Sequence, residues 1–216
     1  MAFAIDAGWD RRGERLEEAS ILSALETEFS QHLEVVESRG RANQRALDDL
    51  SRLTALAAGT EEWPSVAELD RLMASAAVLS PTWDPGAGER EALIQSGRLE
   101  LISDPELRVA LASWGSVVDE VRDGELVIRE FVRDAIVPHL ADKGVGLGRA
   151  IDTLVPGIAS PQSPSDAERQ YREVMSDAQF RTLLEYRLAW QIDTMGEYES
   201  AVEATARVVD LLTLRD

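Results

Sequence analysis

Ile21-Leu22-Ser23-Ala24-Leu25-Glu26-Thr27-Glu28-Phe29-Ser30-Gln31-His32-Leu33-Glu34-Val35-Val36 is the stretch whose reading decides the fold. Leu22, Leu25, Phe29, His32 and Val36 step by three and four, which puts them on one face of a helix and rules out the alternation of a strand. The same step runs on through Gly40, Asn43, Leu47, Leu50, Thr54 and Ala57, so the spacing predicts one helix from about Arg12 to Ala58. Gly59-Thr60 and Trp63-Pro64 stop it. The two ends of this stripe are apolar, and its middle is small or polar.

Working outward, Ser65 is placed to cap a short helix carrying Val66, Leu69, Leu72, Met73 and Ala76. Pro81, Pro85, Gly86 and Gly88 break the chain again before a helix from about Glu89 to Gln95 that ends near Gly97. Leu99, Leu101 and Ile102 follow as a plug for the end of a bundle. Asp104-Pro105 then opens a long helix, a capping acid ahead of proline in the first turn. Its stripe is Leu107, Leu111, Trp114, Val118, Val121, Ile128, Val132 and Ala135, ending at Pro138 or continuing to Asp142 with a kink. Residues 143–166 read as a loop with a helical turn around Ile151 to Val155, followed by a short helix after Ser165-Asp166 to about Met175. Ser176-Asp177 starts the last long helix, with Leu184, Leu188, Gln191, Met195, Tyr198, Val202, Thr205, Val209 and Leu212 in step. The expectation is an all-α chain: an elongated up-and-down bundle of three long helices, each roughly 50–65 Å at 1.5 Å per residue, plus shorter ones. It forms one domain over 13–216, preceded by a separate segment 1–12.

Composition narrows the function by exclusion. Forty acids face 22 bases for a formal net charge of −18, a field that repels phosphate backbones and anionic lipid. Nucleic acid is therefore not an expected partner. Lys143 is the only lysine, and with the many alanines this points to a GC-rich bacterial genome. The absence of cysteine excludes disulfides, thiolate metal sites and cysteine nucleophiles. No apolar run is long enough to span a bilayer. Residues 1–12 nevertheless run from apolar Ala2-Phe3-Ala4-Ile5 through Trp9 to Asp10-Arg11-Arg12, the order in which a membrane helix meets the interface.

Motifs for chemistry are weak. His32 and His139 are the only histidines. Glu28 and His32 stand four apart, whereas a di-iron bundle uses Glu-x-x-His pairs from facing helices. Gly144-Val145-Gly146-Leu147-Gly148 lacks the strand and helix that a phosphate loop needs, so its glycines serve a turn. The acidic pairs Glu17-Glu18, Asp48-Asp49 and Glu61-Glu62 lack the alternation of a calcium loop. Neither a cofactor nor a metal is expected, and no catalytic residue is assigned. What stands out is polarity at seam positions: His32, Asn43 and Gln191, with Arg187 nearby. Buried polar groups cost stability unless paired, so such a layer serves either to fix register and partner, or to line a small pocket for a ligand.

One longer stretch carries a resemblance. Glu91-Ala92-Leu93-Ile94-Gln95-Ser96-Gly97-Arg98-Leu99-Glu100-Leu101-Ile102-Ser103-Asp104-Pro105-Glu106-Leu107-Arg108 resembles a segment of a bacterial family of no established activity. In that family a helix ends in Gly-x-Leu-x-Leu-Ile, and Asx-x-x-Leu-Arg starts the next. Asp6-Ala7-Gly8-Trp9-Asp10-Arg11-Arg12 is similar to the family's exit from a membrane helix, and Asp177 to Leu184 with Tyr198-Glu199 is similar to its last helix. The resemblance implies one N-terminal transmembrane helix, lacking in this sequence, and a helical domain on the periplasmic side of the inner membrane of a Gram-negative bacterium. A cytoplasmic location is the alternative. The resulting expectation is a membrane-tethered interaction or scaffold domain for a protein partner or for itself, not an enzyme. A ligand-sensing bundle with a pocket at His32, Asn43, Arg187 and Gln191 is the second expectation.

Overall fold

A computed structural model describes residues 2–77, 81–157 and 162–214, with the side chains of 2–12, 14, 76 and 77 left out. Helix accounts for 82% of the chain and no strand occurs among the described residues, so the fold is an all-α helical bundle. The order is α1 (Ala2–Ala58), α2 (Val66–Ala77), α3 (Glu89–Gln95), a 3-10 turn (Arg98–Leu101), α4 (Pro105–Phe131), a π-helical turn (Val132–Ile136), α5 (Val137–Asp142), α6 (Gly148–Asp152), α7 (Pro164–Met175) and α8 (Ala178–Thr213). No described helix is long and apolar enough to cross a membrane.

Side-chain caps mark the starts of α2, α4 and α8. Ser65 accepts the Glu68 N–H at 3.3 Å, Asp104 accepts those of Glu106 and Leu107, and Asp177 accepts that of Phe180 at 2.9 Å. Gly97 ends α3 with φ of 69°, a left-handed conformation that costs glycine nothing sterically.

Three boundaries differ from the sequence expectation. α1 begins at Ala2 rather than near Arg12, so residues 2–12 are not set apart from it. The helical turn in the 143–166 segment is α6, Gly148–Asp152, a few residues before the expected Ile151 to Val155. α7 starts at Pro164, because Ser163 caps it by accepting the Asp166 N–H at 3.2 Å and proline suits the first helical position. Of the two ends expected for the α4 stripe the longer is found: the helix continues through the π turn and past Pro138 to Asp142. Proline lacks the N–H that an α-helix uses and its ring crowds the carbonyl four residues back; the wider turn directly before it relieves both.

By its contacts the chain divides into two compact units. Unit 1 comprises residues 1–38, 83–121 and 197–216, and unit 2 comprises 39–82 and 122–196. The core of unit 1 gathers Ile21, Leu25, Phe29 and Val36 of α1, Leu107, Leu111, Trp114, Val118 and Val121 of α4, and Tyr198, Val208 and Leu212 of α8. Trp83, Leu93 and Ile102 close it. In unit 2, Leu50, Leu53, Leu56 and Ala57 of α1 pack with Leu69, Leu72 and Met73 of α2, with Val132, Ile136 and Leu140, with Tyr171, Val174 and Met175 of α7, and with Phe180 and Leu184 of α8.

Candidate functional site

Three of the four polar positions marked in the sequence meet inside unit 2. Gln191 and Arg187 lie one turn apart on α8 and both are 0% exposed. Arg187 Nη1 donates to Gln191 Oε1 at 2.7 Å, and Gln191 Nε2 donates to Asn43 Oδ1 on α1 at 3.1 Å. Asn43 is itself buried, and its Nδ2 donates to the carbonyls of Arg39 at 3.2 Å and Pro81 at 3.4 Å. A directional chain of hydrogen bonds thus runs Arg187 to Gln191 to Asn43 to backbone. Thr194, also buried, lies one turn from Gln191 on the same helix face, and α4 buries Glu125 in the same unit.

The inner end of this chain is unbalanced. Arg187 Nε and Nη2 are buried and have no hydrogen-bond partner among the described residues, and burial lowers the guanidinium pKa to about 10. At neutral pH the group is still a cation with one of its three nitrogens paired. The outer end reaches Pro81, which also lines an open cleft of about 380 Å³ with Ala42, Arg45, Ala46, Asp49 and Arg71. Arg71 is held there by Asp49 and Glu68 at 2.7 and 3.0 Å, and those hydrogen bonds raise its pKa.

His32, the fourth position, belongs to unit 1 and takes no part in the chain. Its Nε2 lies 3.4 Å from Glu28 Oε1, and its ring stacks on Trp114 at 5.2 Å. Burial raises the Glu28 pKa, but the hydrogen bonds from His32 and from the Arg90 backbone and the charge of His32 outweigh it and leave the carboxyl below its ordinary value. Trp114 is the hub: Phe29 and Trp83 meet its edge or face at 5.1 and 5.9 Å, and Arg90 lies over its ring at 5.1 Å. Its Nε1 donates to Thr205 Oγ1 at 2.9 Å, and Thr205 donates onward to the Ala201 carbonyl. In this aromatic core the Trp114 indole N–H and the Thr205 hydroxyl are both paired.

A second buried constellation in unit 2 escaped the sequence reading. Asp70 of α2 accepts Tyr171 Oη at 2.7 Å on one oxygen and Arg149 Nη2 at 2.7 Å on the other. Burial first, then the hydrogen bond to Asp70, pushes the Tyr171 phenol well above its ordinary range. The carboxylate is fully used, and the group fastens α6 and α7 to α2. The signal was an acid beside Leu69 and a tyrosine in step with Ala167 and Val174 on apolar faces.

His139 is buried, stacks on Phe180 at 6.0 Å and places Nε2 3.4 Å from Asp177, which Lys143 also contacts. The helix-start cap and Lys143 together hold the Asp177 pKa down to about 2, with the Lys143 hydrogen bond the larger cause. Among the described residues no group of three or more His, Asp or Glu side chains is arranged to hold a metal ion. No protein-family model, curated protein or solved structure matches the chain.

Proposed function

We propose that this chain is an interaction domain whose binding face is the outer flank of α4 and α8 in unit 2. The observation that carries this is an aromatic band there. Phe131 and Tyr186 lie 6.5 Å apart, with Val127 one turn before Phe131 and Trp190 one turn after Tyr186. Val127, Tyr186 and Trp190 are 39%, 58% and 41% exposed, while Tyr and Trp are the side chains most enriched at binding hot spots. The occupant that fits is a protein with a basic rim. A second copy carries the same charge of −18 and is repelled within a Debye length of about 8 Å.

The tether and the periplasmic setting belong to the same proposal. Their support is the family resemblance and the order of apolar residues, Trp9 and charge in residues 2–12. A photo-crosslinking residue at Tyr186 or Trp190, in cells that make the protein, should give an adduct of one defined mass. The same residue at Val35 or Leu16, exposed in unit 1, should not. Adducts at the control positions equal to those at Tyr186 and Trp190 reject the face, and a product of twice the chain mass identifies a second copy as the occupant instead.

A second reading, a ligand-binding bundle, is favoured by one observation: the guanidinium of Arg187, paired through one of its three nitrogens, at the inner end of the buried chain.

A further inference from the structure

Resting on that second reading, we propose that Arg187 is the recognition group for a small carboxylate, bound as a planar oxyanion inside unit 2. The argument starts from which atoms are left over. Guanidinium offers five N–H donors, and its most effective edge for a carboxylate is the pair formed by Nε–H and the neighbouring Nη2–H, two parallel donors matched to two oxygens. Gln191 occupies Nη1 and leaves that edge whole. The remaining polar groups hold the fork in place rather than filling it. Gln191 spends its carbonyl on Nη1 and its amide on Asn43, and Asn43 spends its amide on the Arg39 and Pro81 carbonyls. A side chain that served only to fix helix register needs no charge, and Asn43 with Gln191 already provides such a lock.

Charge points the same way. The guanidinium has nothing exposed, and neither free nitrogen is open to water. A buried cation with two unmet donors is destabilising, and an anion that brings two acceptors and the opposite charge reverses that term. A bidentate acid fits the donor count; a neutral amide brings a single acceptor oxygen. The fork is enclosed, so the ligand must be small and its entry requires the packing around Arg187 to part, which makes binding slow relative to diffusion. The chain's outer end already touches a wall of the open cleft at Pro81.

The experiment titrates sodium formate and sodium acetate against sodium chloride at equal ionic strength, with formamide and acetamide as neutral counterparts. Thermal unfolding and the Nε–H resonance of Arg187 are the readouts for the full chain and for R187M and R187Q. The expected result is a saturating rise in Tm with the carboxylates, a downfield shift of the Arg187 Nε–H signal, and loss of both in R187M and R187Q, whose helical circular dichroism shows them folded. A rise produced equally by the amides keeps the ligand reading and overturns the carboxylate assignment. A carboxylate effect that persists in R187M overturns the role of Arg187. No saturating response to any of the four compounds overturns both the inference and the reading beneath it.

Discussion

Units 1 and 2 solve the same problem, polar atoms within a helical core, in opposite ways. In unit 1 three polar contacts at and beside Trp114 end on partners: its Nε1 on Thr205, Thr205 on a carbonyl, Arg90 Nε on the Leu111 carbonyl at 2.7 Å. In unit 2 the Arg187 chain is tied at the backbone end and left with two free donors at the other. A closed network rigidifies a core, while an open one leaves stability unclaimed. The comparison teaches that burial of a polar residue is not itself a sign of function; a buried guanidinium shifted by burial alone, with donors unspent, is.

The comparison can be broken by substitution, beginning with the largest effect. Trp114→Ala removes the hub of unit 1 and should cost about 4 kcal/mol in urea unfolding, as large-to-small core changes do. A loss below about 1 kcal/mol contradicts the description of Trp114 as the hub of the unit 1 core. Asp70→Ala leaves the Tyr171 hydroxyl and Arg149 without their acceptor and should cost about 3 kcal/mol. Arg187→Met should have the opposite sign in the absence of any added carboxylate, a gain of about 2 kcal/mol, because replacing a poorly compensated buried charge with an apolar chain of similar volume stabilises. If R187M falls in stability like D70A, the two constellations of unit 2 are equivalent and the contrast fails.

The smallest effect sharpens the electrostatics. The folded-state pKa of Asp177 is depressed to about 2, below an unfolded value near 4, so its contribution to stability is present above pH ~4 and disappears as pH falls through 2. Asp177→Asn should flatten the stability profile in that window and leave it unchanged in shape at higher pH. An unchanged slope between pH 4 and 2 would show that the Lys143 contact is not maintained in solution.

Much of this was legible because a helix repeats. Every seam residue named on α1, from Leu22 to Ala57, is buried or partly buried, and so is every one named on α8. Asn43 and Gln191 could be picked as seam residues by phase alone. Phase does not give height, however. His32 and Asn43 are in step on α1 but eleven residues apart, about 16 Å at 1.5 Å per residue, so one layer could not hold both. Asp70, Arg149 and Tyr171 were hidden for a different reason. They come from three short helices separated along the chain, and no periodicity links positions 79 and 101 residues apart. The free edge of Arg187 was beyond sequence altogether, since only coordinates tell which nitrogen is taken.

The π turn at Val132–Ile136 carries one further consequence. Such a turn is how a helix accommodates a supernumerary residue, and everything after it is rotated by about 100° compared with an uninterrupted coil. His139 and Leu140 face inward on that rotated frame. Excising one residue between 132 and 136 would therefore swing both toward solvent and drive the Pro138 ring into the preceding carbonyl. Restoring a smooth helix there would demand a second edit, the exchange of Pro138, and the surplus residue and the proline are in that sense a matched pair.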